Sequence, residues 1–332
     1  MKITKSLDLF QSLSVSKVVL ILVFATTGLT LRAQTINASE TYSYFGSLSQ
    51  YNSGVSSNQA TACEPTSVIN GLTFLNAVNG NTVFAHSPAA YADLNSLAGS
   101  SGTSGGASGG TSYGSGVTGM VNYMSAGGFN AAPNVTISGQ YAYSTWGAGL
   151  PANSSTLNFN MTTPTATFMG NALQANDAVQ LAIWWGTYNF TTNTFTPSAG
   201  NGTHEIDLYS LNLTNGNGSA SIVVPESSAG NLNDPLATAQ NLSATIQTVA
   251  FNSSNYLYLT YGTSLNTFAG TPGETDPANG GSTPLDAVAG TAPTGIIVGD
   301  YVEAVPEPST YVLFGLGLLV LGVMAIRRKA QA

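Results

Sequence analysis

The sequence is short of basic residues, and the few that it has lie near its ends. Only 7 of its 332 residues are Lys or Arg, and none lies between Arg32 and Arg327. Nearly all of the 15 acidic residues lie within that stretch, which therefore carries charge of one sign. Neutralising phosphates requires Lys or Arg, so we expect no nucleic acid partner. Lysine Schiff bases, P-loop lysines and arginine clamps on carboxylates are excluded there too.

The sequence also has few residues from which to build a catalytic site. It contains one cysteine, Cys63, and two histidines, His86 and His204. A single cysteine forms no internal disulfide, so its thiol is either inert in the core or reactive. No short-spacing metal-ligand motif is present, and we expect no cofactor. Any catalysis must therefore use Cys, His, carboxylates, hydroxyls or amides.

The first 33 residues have the pattern of an export signal. Lysines precede an apolar run from Val18 to Leu31, and the small residue Ala33 follows it at a position suited to cleavage. The sequence therefore predicts a signal peptide over residues 1–33.

The C-terminus combines a short motif, an apolar run and a basic end. Its parts are, in order, Pro306, Glu307 and Pro308, an apolar run over 311–326, and Arg327, Arg328 and Lys329. This order, over residues 305–332, resembles the PEP-CTERM sorting signal of Gram-negative bacteria. The resemblance implies a transmembrane helix that anchors the chain in the inner membrane for a time, with the basic end in the cytoplasm. It further implies export machinery and an exosortase as partners, and final release to the cell surface or extracellular matrix.

Low-complexity segments divide the rest of the chain. Residues 98–116 are nearly pure Gly, Ser, Ala and Thr, and predict a loop. Residues 265–294 are rich in Gly, Pro, Thr and Asp, and they predict a low-complexity linker over 265–304 that includes a last strand at 296–302. One folded domain is therefore expected over residues 34–264.

Hydrophobic periodicity predicts helices early in this domain and strands later. The predicted helices are 64–78, 117–126 and 164–175. The predicted strands are 134–143, 178–188, 203–213, 219–224, 243–250 and 255–262. This order predicts an α+β fold with N-terminal helices packed on an antiparallel sheet.

Cys63 lies at the start of the first predicted helix. A thiol there is close to the positive end of the helix dipole and to N–H groups without helical partners. Both favour the thiolate, which is the attacking form, and the same N–H groups can hold an oxyanion. The position predicts a nucleophile, with an inert core cysteine as the alternative. An ionised Glu64, directly after the cysteine, opposes thiolate formation.

His204 begins a predicted strand and is the candidate base, with His86 as the alternative. Side chains alternate along a strand, so His204 shares a face with Ile206 and Leu208. Asp207 lies on the other face and is a poor orienting partner.

Two acids farther along the chain are better placed to orient the imidazole. Glu226 directly follows the next strand, and Asp234 lies in an Asn-Asp-Pro turn. Either carboxylate can accept from the ring and fix its tautomer.

The motif Cys-x-Pro-Thr-Ser opening a helix, with Gly-Thr-His opening a strand, resembles the papain-like cysteine peptidases. The likeness is greatest to the C39-like and the immunoglobulin-degrading (IdeS-like) groups, and Asn70-Gly71-Leu72 matches a pattern of the second. It implies a papain-like fold and a peptidase site with Cys63 as nucleophile and His204 as base. Gln59 would help to hold the oxyanion, although the family's Gln usually lies two residues earlier.

The sequence thus supports an exported, surface-sorted protein with cysteine peptidase activity on a protein substrate. The alternative is a non-enzymatic surface protein that binds exopolysaccharide through its Asn-, Thr- and Ser-rich surface. A third hypothesis is acyl transfer by the same residues.

Overall fold

A computed structural model describes nine stretches of the chain. They are residues 35–46, 48, 63–79, 113–125, 135–144, 149–197, 203–225, 239–261 and 294–304. The chain divides into two units, Met1–Thr35 and Ile36–Ala332. Apart from Thr35, all described residues belong to the second unit.

Three α-helices and ten β-strands make up the described part. The helices are α1 (Cys63–Val78), α2 (Tyr113–Ser125) and α3 (Ala166–Gln174), with a 3₁₀ turn at Tyr42–Tyr44. The first five strands are β1 (Thr35–Ser39), β2 (Thr136–Tyr141), β3 (Leu157–Asn160), β4 (Ala178–Asn189) and β5 (Thr194–Pro197). The others are β6 (Thr203–Thr214), β7 (Asn217–Val224), β8 (Gln240–Phe251), β9 (Ser254–Tyr261) and β10 (Thr294–Ala304).

Local sequence explains where several elements begin and end. The Thr165 hydroxyl accepts from the Phe168 N–H at 3.3 Å and caps α3. Asn215 and Gly216, between β6 and β7, have φ values of 53° and 75°. The type I′ two-residue hairpin turn requires positive φ at both central positions, which Asn and Gly tolerate best.

The strands are linked in one sheet whose long strands form a closed ring. The antiparallel pairs run β4–β6, β6–β7, β7–β8, β8–β9, β9–β10 and β10–β4. β2 adds to β10, β5 adds to β4 and β1 pairs with β6. β3 pairs with β2 in parallel, so the sheet is mixed.

The core has two main parts, one on each face of the ring strands. The ring-interior cluster consists of aliphatic residues and Trp185, and includes Ile206, Leu208 and Met169 of α3. The second part, the helix-side cluster, joins α1 and α2 to the opposite face through Val68, Leu72, Val117, Ala182 and Tyr301, among others. Successive residues of β6 therefore contribute to different parts of the core.

The expected α+β, papain-like fold is wrong. Strands account for 52% of the described residues and helices for 25%, and the sheet is large and mixed. All three predicted helices and the predicted strands are present, but β1, β3 and β5 were not anticipated. β3 and β5 have only 4 residues each, too few for a clear two-residue alternation.

No helix in the described stretches is long and apolar enough to cross a membrane. The segment 311–326, for which the sequence predicted a transmembrane helix, lies outside the described residues. The described stretches therefore contain no helix that corresponds to the expected transmembrane helix. Residues 1–33 and 305–332 also lie outside the described stretches. The Gly- and Ser-rich segment 98–116, which the sequence predicted to be a loop, overlaps the start of α2 at Tyr113.

Candidate functional site

Cys63 occupies the helix start that the sequence predicted. It is the first residue of α1 and is half-buried. The first four N–H groups of an α-helix lack partners within the helix and carry its positive dipole end. The thiol therefore stands where a negative charge on sulfur, or on a carbonyl oxygen under attack, is stabilised.

One hydrogen bond ties the start of α1 to the start of β6. The Ser67 hydroxyl donates to the backbone oxygen of Glu205 at 3.0 Å, and both residues are buried. Ser67 is one turn after Cys63, which is about 6 Å along the helix axis. Glu205 directly follows His204 in the sequence. Cys63 and His204 therefore stand at the same end of the α1–β6 contact.

The His204 ring lies on the ring-interior face of β6. It is 4% exposed and stacks on Trp185, with ring centroids 5.4 Å apart and planes at 23°. Trp185, Ile206 and Leu208 all belong to the ring-interior cluster. The predicted face shared by His204, Ile206 and Leu208 is therefore confirmed. The Ser67 contact is on the other side, where Ala182 and Tyr301 pack against α1.

The acids beside Cys63 and His204 are buried. Glu64 is 1% exposed and Glu205 is 4% exposed. Burial, followed by repulsion from Glu205 and Glu303, raises the pKa of Glu64 well above its usual value. Burial raises the pKa of Glu205 to about 8, although the nearby Tyr301 hydroxyl and the charge of His204 act in the opposite direction. The raised pKa values favour the protonated forms of both carboxyls, which lessens the charge expected to oppose a thiolate at Cys63.

Asn70, seven residues after the cysteine, fixes the chain that precedes α1. Its amide accepts from the Leu48 N–H and donates to the Leu48 carbonyl, each at 3.0 Å. Its own carbonyl accepts from the Gly46 N–H at 3.1 Å. In this structure the residue that matched a peptidase pattern holds Gly46 and Leu48 against α1.

Several predicted site residues lie outside the described stretches. These are Gln59, His86, Glu226 and Asp234, together with Pro306, Glu307, Pro308, Arg327, Arg328 and Lys329. The oxyanion role of Gln59 and the orienting roles of Glu226 and Asp234 stay predictions. Within the described stretches, no group of three or more His, Cys, Asp or Glu residues is arranged to hold a metal ion.

Sequence reasoning missed a polar layer beneath α1. Gln180 and Asp207 are fully buried, and the Gln180 amide donates to the Asp207 carboxyl at 3.3 Å. Tyr301 and Glu303 of β10 are fully buried on the same side. Strand alternation predicts that Tyr301 and Glu303 share a face, but an acid on a strand usually faces solvent.

The C-terminal segment matches a known family model. Residues 304–329 match the PEP-CTERM protein-sorting motif, which confirms the sorting signal predicted at Pro306, Glu307 and Pro308. The match places the chain among exported proteins that an exosortase processes, with a transient membrane-associated step. No curated protein and no solved structure matches the chain.

Proposed function

We propose that the exported body is a cysteine-dependent hydrolase of peptide bonds, with Cys63 as nucleophile and His204 as base. The hydrogen bond from Ser67 to the Glu205 backbone carries this proposal, because it brings the start of α1 against the start of the His204 strand. The raised pKa values of the two neighbouring acids support it further, because they favour the protonated forms, which do not repel a thiolate.

The reaction follows from the chemistry of these groups. His204 takes the thiol proton, and the Cys63 sulfur attacks the carbonyl carbon of a peptide bond. N–H groups at the start of α1, with Gln59, hold the oxyanion, and His204 returns the proton to the leaving amine. Water then attacks the thioester and releases the carboxylic acid and the free thiol. Glu226 or Asp234 fixes the imidazole tautomer.

The geometry sets one requirement on this reaction. The His204 ring stacks on Trp185, whereas α1 covers the opposite face of β6. Cys63 is the first residue of its helix and His204 the second of its strand. The side chains must therefore meet around the end of β6, and not across the face of the sheet.

The test is hydrolysis of an unfolded protein substrate by the purified mature chain. We expect new amino termini with the native chain, and none with Cys63→Ala or with His204→Gln. Cys63→Ser is the matched control for folding, because it replaces only the sulfur atom. Equal hydrolysis by native protein and Cys63→Ala would remove the proposal, as would the absence of hydrolysis by a correctly folded native chain.

A non-enzymatic surface or exopolysaccharide-matrix protein is the second candidate. The observation that favours it is the packing of His204 on Trp185, away from the face that α1 covers. Binding of the folded chain to exopolysaccharide, unchanged in Cys63→Ala and without hydrolysis, would support this candidate. Acyl transfer by the same residues is distinguished from hydrolysis by adding an amine and identifying the products.

A further inference from the structure

Four buried carboxyl groups lie where α1 meets the sheet. They are Glu64 of α1, Glu205 and Asp207 of β6, and Glu303 of β10, and we call them the acid cluster. None is more than 4% exposed. Glu205 and Asp207 lie on the face of β6 that α1 covers, and Glu303 shares its face of β10 with Tyr301. Glu64 is close enough to Glu205 and Glu303 to feel their charge.

The groups that face the acid cluster from neighbouring elements are polar but supply little positive charge. Gln180 of β4 donates to Asp207, and Tyr301 of β10 lies beside Glu205, Glu64 and Glu303. Tyr113 of α2 is also within electrostatic reach of Glu205. His204 of β6 is the basic group near Glu205. At the edge, Glu40 after β1 is within reach of Asp177 and Asp207.

The sequence provides no Lys or Arg to neutralise these acids. None lies between Arg32 and Arg327, so an ionised acid cluster would hold several negative charges against one histidine. Buried charges without partners are strongly destabilising, and like charges at short distance add repulsion. The packed arrangement of α1 on the sheet therefore requires that most of the cluster be protonated.

We propose that the contact between α1 and the sheet is a pH-sensitive switch, closed while the acid cluster is protonated and opened by its ionisation. The proposal rests on the packing of four acids between α1, β6 and β10. It does not depend on the catalytic role proposed for Cys63.

The sign of the pH dependence follows from the direction of the pKa shifts. Burial, and then repulsion from other acids of the cluster, raises the pKa values of Glu64, Asp207 and Glu303 well above their usual range. The folded chain thus binds more protons than the unfolded chain above about pH 4.5. The contribution of the acid cluster to stability is fully present below that pH. It is lost as the pH rises through the pKa values of the folded chain, and for Glu205 that pKa is about 8.

Equilibrium unfolding of the mature chain between pH 5 and pH 9 is the first measurement. Each acid that is protonated when folded and ionised when unfolded raises the unfolding equilibrium constant about tenfold per pH unit. We therefore expect a rise of at least about tenfold per unit between pH 5 and 8. A flat profile over this range would overturn the proposal.

Hydrogen exchange then locates the switch. Protection factors of α1 amides should fall with rising pH more steeply than those of α3, which packs on the apolar ring-interior cluster. Glu303→Gln and Glu64→Gln should reduce the α1 slope, which is the fall in the protection factors of α1 amides per pH unit. Glutamine keeps the shape of a protonated glutamate but cannot ionise. If α1 and α3 lose protection in parallel, the proposed local switch is contradicted.

Asp300→Asn is the matched control. Asp300 is also fully buried, but its carboxyl accepts from the Gln140 N–H at 2.9 Å. Burial raises its pKa without a contribution from the acid cluster. The α1 slope should remain as in the native chain in this variant, and an equal reduction by Asp300→Asn would contradict the assignment to the cluster. If the glutamine variants do not fold, the pH dependence of the α1 and α3 protection factors in the native chain still tests the proposal.

Discussion

The two faces of β6 differ more than two neighbouring surfaces of one strand usually do. On the ring-interior face, Ile206 and Leu208 pack in a cluster of apolar side chains that α3 covers. On the opposite face, Glu205 and Asp207 are equally buried beneath α1. Both faces are buried, but the first carries apolar side chains and His204, whereas the second carries two carboxyl groups.

The difference separates apolar contacts, whose contribution to stability changes little with pH, from buried carboxyl groups, whose contribution depends on their protonation. Apolar burial depends little on pH, whereas buried carboxyls cost free energy whenever they are ionised. Proteins retain such unfavourable groups most often at functional sites. Helix α1 covers the face of β6 that carries the buried carboxyl groups, and it also carries Cys63. This agrees with the site proposed at the start of α1.

The largest effect is expected from Leu208→Ala, on the apolar face. Leu208 is fully buried in the ring-interior cluster, so the variant leaves a cavity. The free energy of unfolding should fall by about 2–5 kcal/mol. Denaturant titrations at pH 5 and pH 8 should give the same loss, and a loss that changes with pH would mean that the two faces are not independent.

A smaller effect is expected from Gly116→Ala, on the acidic face. A Cβ atom built on Gly116 of α2 overlaps the carboxyl group of Glu64. Overpacking of this kind costs about 1–3 kcal/mol, which thermal unfolding can measure.

The double variant Gly116→Ala/Glu64→Ala is the control for this contact. Removing the carboxyl gives the new methyl group room, so the two substitutions should be strongly non-additive. Additive losses would show that Gly116 is required for a reason other than its contact with Glu64.

The smallest effect is expected from Ser67→Ala, which removes the hydrogen bond from α1 to the Glu205 backbone. A typical net cost is about 0.5–1.5 kcal/mol. Thr73→Ala is the matched control, because the Thr73 hydroxyl donates to the Ile69 carbonyl of the same helix at 2.7 Å. Ser67→Ala should lower hydrolysis as well as stability, and Thr73→Ala should leave hydrolysis unchanged. Equal hydrolysis by both variants would show that hydrolysis does not depend on the Ser67 hydrogen bond.

Long, periodic elements were predictable from the sequence, and short ones were not. Helix α1 was expected at 64–78 and spans Cys63–Val78, while β6 was expected at 203–213 and spans Thr203–Thr214. Strands β3 and β5, which the sequence did not predict, have too few residues to show a two-residue period. The fold class was wrong because pairings such as β10 with β4 join distant parts of the chain, and no local pattern encodes them.

The candidate site was predictable only in part. The position of Cys63 at a helix start and the face of β6 that His204 shares both follow from spacing. The side of β6 on which α1 packs depends on tertiary contacts, and so does the burial of Glu64, Glu205 and Glu303. Acids are expected at the surface, and the absence of Lys and Arg was the one sequence signal that their environment would be unusual.

The rate of Cys63 alkylation by iodoacetamide in the folded chain at pH 7 is the most direct test of the proposed site. The account predicts that folded native protein reacts faster than the same chain unfolded in denaturant, and that His204→Gln slows the folded reaction. Alkylation of Cys63 only after unfolding, or at the same rate in native protein and His204→Gln, would contradict it.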